Sequence, residues 1–313
     1  MYTRREFLTT ASLALGATAG QSASLLARFS AAASEPPQLF RIGYQIYGWG
    51  RYFPPAWWEA CRACSAIGYP GIEGEYTIAT LYSGRESEFS TRMRREHEEL
   101  AALYSTTDLN QAGQFYVNRY KNIQAAKFAK SQGARVIAIG GTDASERTAA
   151  QFVEYARQAN AIGREIFETT GLQIGVHPHL GSLIQHRDDI DRVMESTDPR
   201  YFHLCPDVAH LAAGGADPVE VILKYSQRII HVHLKDYKPV SGRDFGEFVE
   251  LGKGTVDIPG IVHALEAIGF KGWANVELDG AVDPAGSAVR NRDYLANVLH
   301  LRVGADKERP VDD

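Results

Sequence analysis

Residues 201–236 read YFHLCPDVAHLAAGGADPVEVILKYSQRIIHVHLKD, and the pattern inside them decides the fold. A β-rich run, Tyr201–Asp207, comes first, and a second, Ile229–Lys235, closes the stretch. Between them Asp217-Pro218-Val219-Glu220 starts a helix. The aspartate offers an N-cap acceptor, the proline sits at the first helical position where no N–H is needed, and the glutamate is a carboxylate at the third. A strand, a helix and a further strand in that order form the unit of a parallel sheet, whose strands need a crossover connection.

The same alternation extends in both directions. Further strands are expected at Phe40–Ile46, Gly71–Glu75, Arg135–Ile139, Gln173–His177 and Trp273–Leu278, with a weaker one near Leu103–Thr107. Helices fall between them. Phe152, Tyr155, Ala159, Ile162 and Ile166 recur at spacings of three and four, which is one buried helix face. Asp257-Ile258-Pro259 opens another helix, whose face Ile261, Leu265, Ile268 stops at Gly269. Eight such units in about 270 residues match a single-domain (β/α)8 TIM barrel in size. No GxGxxG follows the first strand, so a dinucleotide-binding half is not supported. The expected organisation is a signal and linker over 1–35, the barrel over 36–305 and a polar tail over 306–313.

The chain has 313 residues, of which 44% are hydrophobic and 23% charged, as in a soluble protein with a full core. A net charge of −5 without a basic block argues against a nucleic-acid partner. No apolar run after the N-terminus approaches the roughly 18 residues of a membrane span, so none is expected in the mature chain. The N-terminus differs in kind: Thr3-Arg4-Arg5-Glu6-Phe7-Leu8, a weakly apolar stretch from Leu13 to Leu26, then Ala31-Ala32-Ala33. That is the pattern of a twin-arginine export signal, which predicts a periplasmic or other extracytoplasmic location. Cys61 and Cys64 form a CxxC, but neighbouring Trp57, Trp58, Ala60 and Ala63 make them part of a helix face.

Barrel chemistry sits where the strands end. Those ends carry Glu73-Gly74-Glu75, His177-Pro178-His179, Asp207-Val208-Ala209-His210, His231-Val232-His233-Leu234-Lys235-Asp236 and Glu277-Leu278-Asp279. Imidazoles and carboxylates converging on one barrel mouth suit Zn, Mn, Co or Fe rather than Ca. Alternate strand residues share a face, so His177 pairs with His179 and His231 with His233. In each pair only the member at the height of the ion is expected to bind it.

The runs Cys205-Pro-Asp207-Val-Ala-His210-Leu, Arg228-Ile-Ile-His231-Val-His233-Leu-Lys235-Asp236, Leu251-Gly-Lys-Gly254-Thr-Val-Asp257-Ile-Pro and Gly269-Phe-Lys-Gly-Trp273, followed by Val276-Glu277, are similar in order and spacing to the xylose-isomerase-like barrel superfamily. That superfamily holds sugar phosphate isomerases and epimerases together with inosose dehydratase. The turn His177-Pro-His179-Leu-Gly181 most resembles the inosose dehydratase branch, and the similarity runs from Gly43 to Glu277. The resemblance implies one divalent metal ion held by Asp207, His233 and Glu277, with His177 where many epimerases carry a glutamate. It also implies that His210 contacts substrate oxygens or a second metal. Two metal-bound glutamates serve the symmetric proton exchange of an epimerase, so the change at His177 favours a dehydratase or other lyase.

The chemistry expected of such a site is proton abstraction next to a carbonyl, with Lewis-acid stabilisation of the enolate. His179, His210 and Lys235 are candidates for moving protons to the leaving oxygen, and Glu73 for a base or ligand. Lys235 either meets the substrate or pairs with Asp236. Tyr44, Tyr47 and Trp49 are candidate stacking surfaces for a sugar ring. The partner expected is a small sugar or polyol, and a homo-oligomer is compatible with the sequence. The rivals are a sugar isomerase or epimerase with the same site, a non-catalytic sugar-binding barrel, and an apurinic-site endonuclease. The last needs histidines on strands two and three, where this chain offers Glu73 and Glu75.

Overall fold

Every barrel strand expected from the alternation is present, and parallel pairing links them into a ring. The computed structural model describes residues 38–50, 55–142, 144, 146–242 and 246–304. The export signal and the polar tail lie outside the described residues.

The strands are β1 (Arg41–Gln45), β2 (Gly71–Glu75), β3 (Glu99–Thr106), β4 (Val136–Gly140), β5 (Gln173–Val176), β6 (Phe202–Leu204), β7 (His231–Leu234), β8 (Asp236–Lys238), β9 (Glu247–Val249) and β10 (Trp273–Val276). Eight of them form one parallel sheet in the order β6-β5-β4-β3-β2-β1-β10-β7. Parallel bridges Leu204↔Ile229 and Asp207↔His233 join its two edges. A (β/α)8 barrel results, with helices such as Ala56–Ile67, Phe115–Ser131, Ala149–Thr170, Ile258–Ala267 and Pro284–Asn297 in the connections.

The local signals act as their chemistry dictates. Asp217 accepts from the N–H groups of Val219 (2.8 Å) and Glu220 (3.3 Å) and caps the helix Pro218–Lys224. In the helix Ala149–Thr170 the residues Phe152, Tyr155, Ala159, Ile162 and Ile166 are all buried. The main core lies between barrel and helices, where Ile42, Ile72, Leu103, Ile174, Phe202, Val232 and Val276 pack. A separate cluster of Ala102, Val136, Ala138 and Cys205 packs apart from it. Among the described residues no helix is long and apolar enough to cross a membrane.

Four departures matter for the site. Strand three begins at Glu99, four residues before the expected Leu103. Strand six stops at Leu204: Pro206 has no N–H for a ladder, and Asp207 becomes the N-cap of a short helix, Val208–Ala213. An antiparallel hairpin of β8 and β9, three residues a side, follows β7 and was not foreseen. Tyr44 is 1% exposed and packs edge-on against Tyr69 and Trp49, so it offers no surface to a sugar. Cys61 and Cys64 are buried free thiols whose pKa burial raises, which makes them packing groups.

Candidate metal centre and active site

The mouth of the barrel is assembled from four consecutive strand ends. Asp207 spends one oxygen as a cap: Oδ1 accepts from the N–H groups of Ala209 and His210, both at 2.9 Å. Its Oδ2 is buried and has no hydrogen-bond partner. Glu277, just after β10, brings Oε2 to 2.7 Å from His233 Nδ1, yet neither atom is aligned to bond. The ligand atoms of Asp207, His233 and Glu277 lie within 4.8 Å of one another. His177 reaches the same place, with Nε2 4.0 Å from Asp207 Oδ2 and its ring 4.6 Å from that of His233.

Buried polar atoms are almost always hydrogen-bonded, so a group of orphans marks a place for a ligand. Here Asp207 Oδ2, His233 Nδ1, Glu277 Oε2 and His210 Nε2 are all unpartnered. Two carboxylates and imidazole nitrogen form a donor set suited to a divalent transition ion. His210 Nε2 is 3.9 Å from Asp207 Oδ2, but its ring is already committed. The Leu180 N–H donates to His210 Nδ1 at 3.3 Å, so the neutral ring carries its proton on Nε2 and presents a donor, not a ligand. His179 has the opposite form. Its Nδ1 lies 2.7 Å from the Leu180 carbonyl, which can only accept, so Nε2 is left bare. The two rings lie against each other with centroids 3.8 Å apart, tilted by 40°.

Burial and charge divide the titratable groups. Burial pushes His177 and His210 well below the usual histidine range, with His233 beside the first and Lys235 beside the second adding to it. His179 is lowered by burial and by Lys235. Burial would lower His233 too, but the carboxylates of Glu73 and Glu277 outweigh it and raise the group well above its ordinary value. Lys235 is 1% exposed; burial opposes its charge, and Asp279, Glu277 and Asp207 overcome that and raise its pKa. Its Nζ stands 2.6 Å from Asp279, 3.6 Å from Asp207 and 3.8 Å from Glu277, with the Phe248 ring 4.3 Å away. Lys235 is therefore a fixed cation and not a base.

The xylose isomerase-like TIM barrel family model matches residues 61–298. The chain belongs to that family. An inosose dehydratase of Clostridium botulinum (strain Alaska E43 / Type E3) is 31% identical over 156 residues, 45% of this chain and 52% of the relative. The chain thus spans about half the length of the curated relatives it matches. Among solved structures, the probable 3-DHS dehydratase AsbF from Bacillus anthracis superposes with a TM-score of 0.68 at 17% identity, covering 82% of this chain and 99% of the other. The IOLI protein with a binding zinc atom superposes with a TM-score of 0.66 at 16% identity, covering 83% and 98%. At these identities the structural likeness speaks for the barrel alone.

Within this family member the structure gathers His177, Asp207, His210, His233, Lys235 and Glu277 at one mouth, with half-buried His179 at its rim. Glu73 departs from the expectation of a catalytic group. It lies mid-strand, is 0% exposed, and its Oε2 accepts from His231 Nε2 (2.7 Å), His233 Nε2 (2.8 Å) and Asn275 Nδ2 (2.8 Å). It therefore meets His233 on the ring nitrogen away from Glu277. Asp236 does not pair with Lys235. Its carboxylate takes the N–H groups of Tyr237, Gly252, Gly254 and Val256, tying segment 252–256 to the end of β7.

Four residues were missed. Asp279 is the closest partner of Lys235. Asn275 holds Glu73 and fits only because Gly43 opposite has no Cβ. Tyr104 stands edge-on to His177 at 5.1 Å, over the gap left by Gly140. Phe248 lies 4.9 Å from the His210 ring on the hairpin the sequence did not reveal. Asp279 alone had a signal, its place at a strand end; the others sit on strands whose stagger no local pattern carries.

Proposed function

We propose that this protein is a divalent-metal-dependent enzyme that eliminates a hydroxyl or alkoxide from a keto-sugar, keto-glycoside or inosose. The observation that carries the reading is the cluster of unpartnered buried ligand atoms beside two adjacent histidines of opposite tautomer. The inosose dehydratase relatives and the zinc of the IOLI protein support it.

Asp207, His233 and Glu277, with His177 beside them, would hold the ion, which supplies Lewis-acid stabilisation to the enolate charge. The bare Nε2 of His179 takes the proton from the carbon next to the carbonyl. His210 gives its Nε2 proton to the leaving oxygen. One proton is gained and one given, so a keto-polyol yields an enone and water, and solvent resets both rings. Lys235, held charged by three carboxylates, places a cation beside the developing oxyanion. The Arg4-Arg5 segment supports export as part of this reading.

The test is product analysis in deuterated water, using metal-loaded full-length protein with a keto-inositol and a 3-keto-glucoside. The expected product is lighter by one water, or a released aglycone. Deuterium at the α-carbon of a product otherwise unchanged in composition would replace this reading with an isomerase or epimerase.

A further inference from the structure

We infer that Glu73 is a positioning residue: by holding His233 through Nε2 it turns Nδ1 toward Asp207 and Glu277 as the nitrogen a divalent ion would take. The inference rests on the metal site proposed above. Glu73 comes from β2, on the other side of β1 and β10 from β7 in the sheet order, and is 160 residues from His233 in sequence. A carboxylate oxygen can only accept, so the 2.8 Å contact puts the His233 proton on Nε2. A ring bonded in that way has only its second nitrogen left for a metal ion. The second nitrogen is the one at the mouth, 2.7 Å from Glu277 Oε2.

The other donors on the same oxygen set its direction. His231 Nε2 at 2.7 Å and Asn275 Nδ2 at 2.8 Å crowd Oε2 from the same interior space, so the carboxylate cannot swing away from His233 without losing them. The three N–H groups leave no lone pair for a cation at Oε2 or at the two Nε2 atoms, although the ligand atoms of Glu73, His231 and His233 lie within 4.8 Å of one another and Glu73 Oε1 is unpartnered. An oxygen already accepting three N–H groups presents protons, and not a lone pair, to the space beside it. The sequence position therefore makes sense in the barrel interior, where Glu73 acts on the site through His233 and never touches substrate.

Two variants separate orientation from packing, and two readouts separate this inference from the metal reading. Glu73→Leu keeps a similar volume and removes the acceptor that holds three donors; Asn275→Leu removes a different donor from the same oxygen. Manganese affinity is measured by titration of each folded apo protein, together with the histidine nitrogen NMR signals before metal is added. The expected result is a ~10–100-fold weaker manganese affinity for Glu73→Leu, less than about a threefold change for Asn275→Leu, and loss of the bonded His233 Nε2–H signal in the first variant only. Equal affinities for parent and Glu73→Leu, or equal losses in both variants, would overturn the inference. A parent that binds no manganese would contradict the metal reading. The NMR signal then decides the inference by itself, because its survival in Glu73→Leu shows that the carboxylate does not hold the ring.

Discussion

Where the barrel strands begin, Arg41 grips Glu99 through two hydrogen bonds, 2.7 and 2.6 Å, and lies 3.9 Å over the Trp273 ring. Where they end, Lys235 stands among Asp207, Glu277 and Asp279, and Asp207 Oδ2, Glu277 Oε2, His233 Nδ1 and His210 Nε2 lack hydrogen-bond partners. Both ends use a cation with carboxylates and an aromatic ring. At the base the side chains stand 45% and 60% exposed and their hydrogen bonds are made; such pairs contribute about 0–1 kcal/mol. At the mouth Lys235 is 1% exposed and the geometry is incomplete. The base also opens the larger cavity, about 600 Å³, lined by Arg41, Glu99, Gln173 and Trp273. Size does not mark the site; unfinished bonding of buried charges does.

The largest effect should come from removing the cation that the mouth depends on. In Lys235→Met three carboxylates lose their counter-charge, and breaking a buried ion pair from one side costs about 3–5 kcal/mol. Thermal unfolding of the metal-free variant is expected well below the parent, with manganese raising its midpoint more than the parent's because a divalent ion takes over the missing charge. An equal drop with and without manganese would make the mouth as purely structural as the base.

A smaller effect belongs to His203 near the strand starts. It is buried, its Nδ1 has no partner, and burial with Arg228 nearby lowers its pKa from 6.5 to about 4. The unfolded chain binds the proton first, so stability is fully present above pH 6.5 and is lost as pH falls toward 4. The loss attributable to this residue is about 3 kcal/mol at most. Urea unfolding of His203→Phe should show a shallower decline between those pH values than the parent. Parallel curves would show that other groups govern the acid limb.

Much of this was legible because it is local. Asp217 and Asp257 cap helices through their own next turns, and Asp207, His233 and Glu277 stand where successive strands end. The surroundings of Glu73 were hidden for a non-local reason. Its depth depends on how β2 is staggered against β3, where the register shifts between Ile72 and Glu73, and on side chains that arrive from 158 to 202 residues away. The β8–β9 hairpin has three residues a side, too few for an alternating pattern, so Phe248 gave no warning of its place beside His210. The histidine tautomers were equally hidden, because the Leu180 backbone sets both.

Elemental analysis of the purified full-length protein and of Asp207→Ala and Glu277→Ala tests the central claim most directly. The account predicts about one divalent ion per chain in the parent, removed by chelator with loss of activity, and an empty but folded barrel in both variants by circular dichroism. Full occupancy retained in both variants would contradict it.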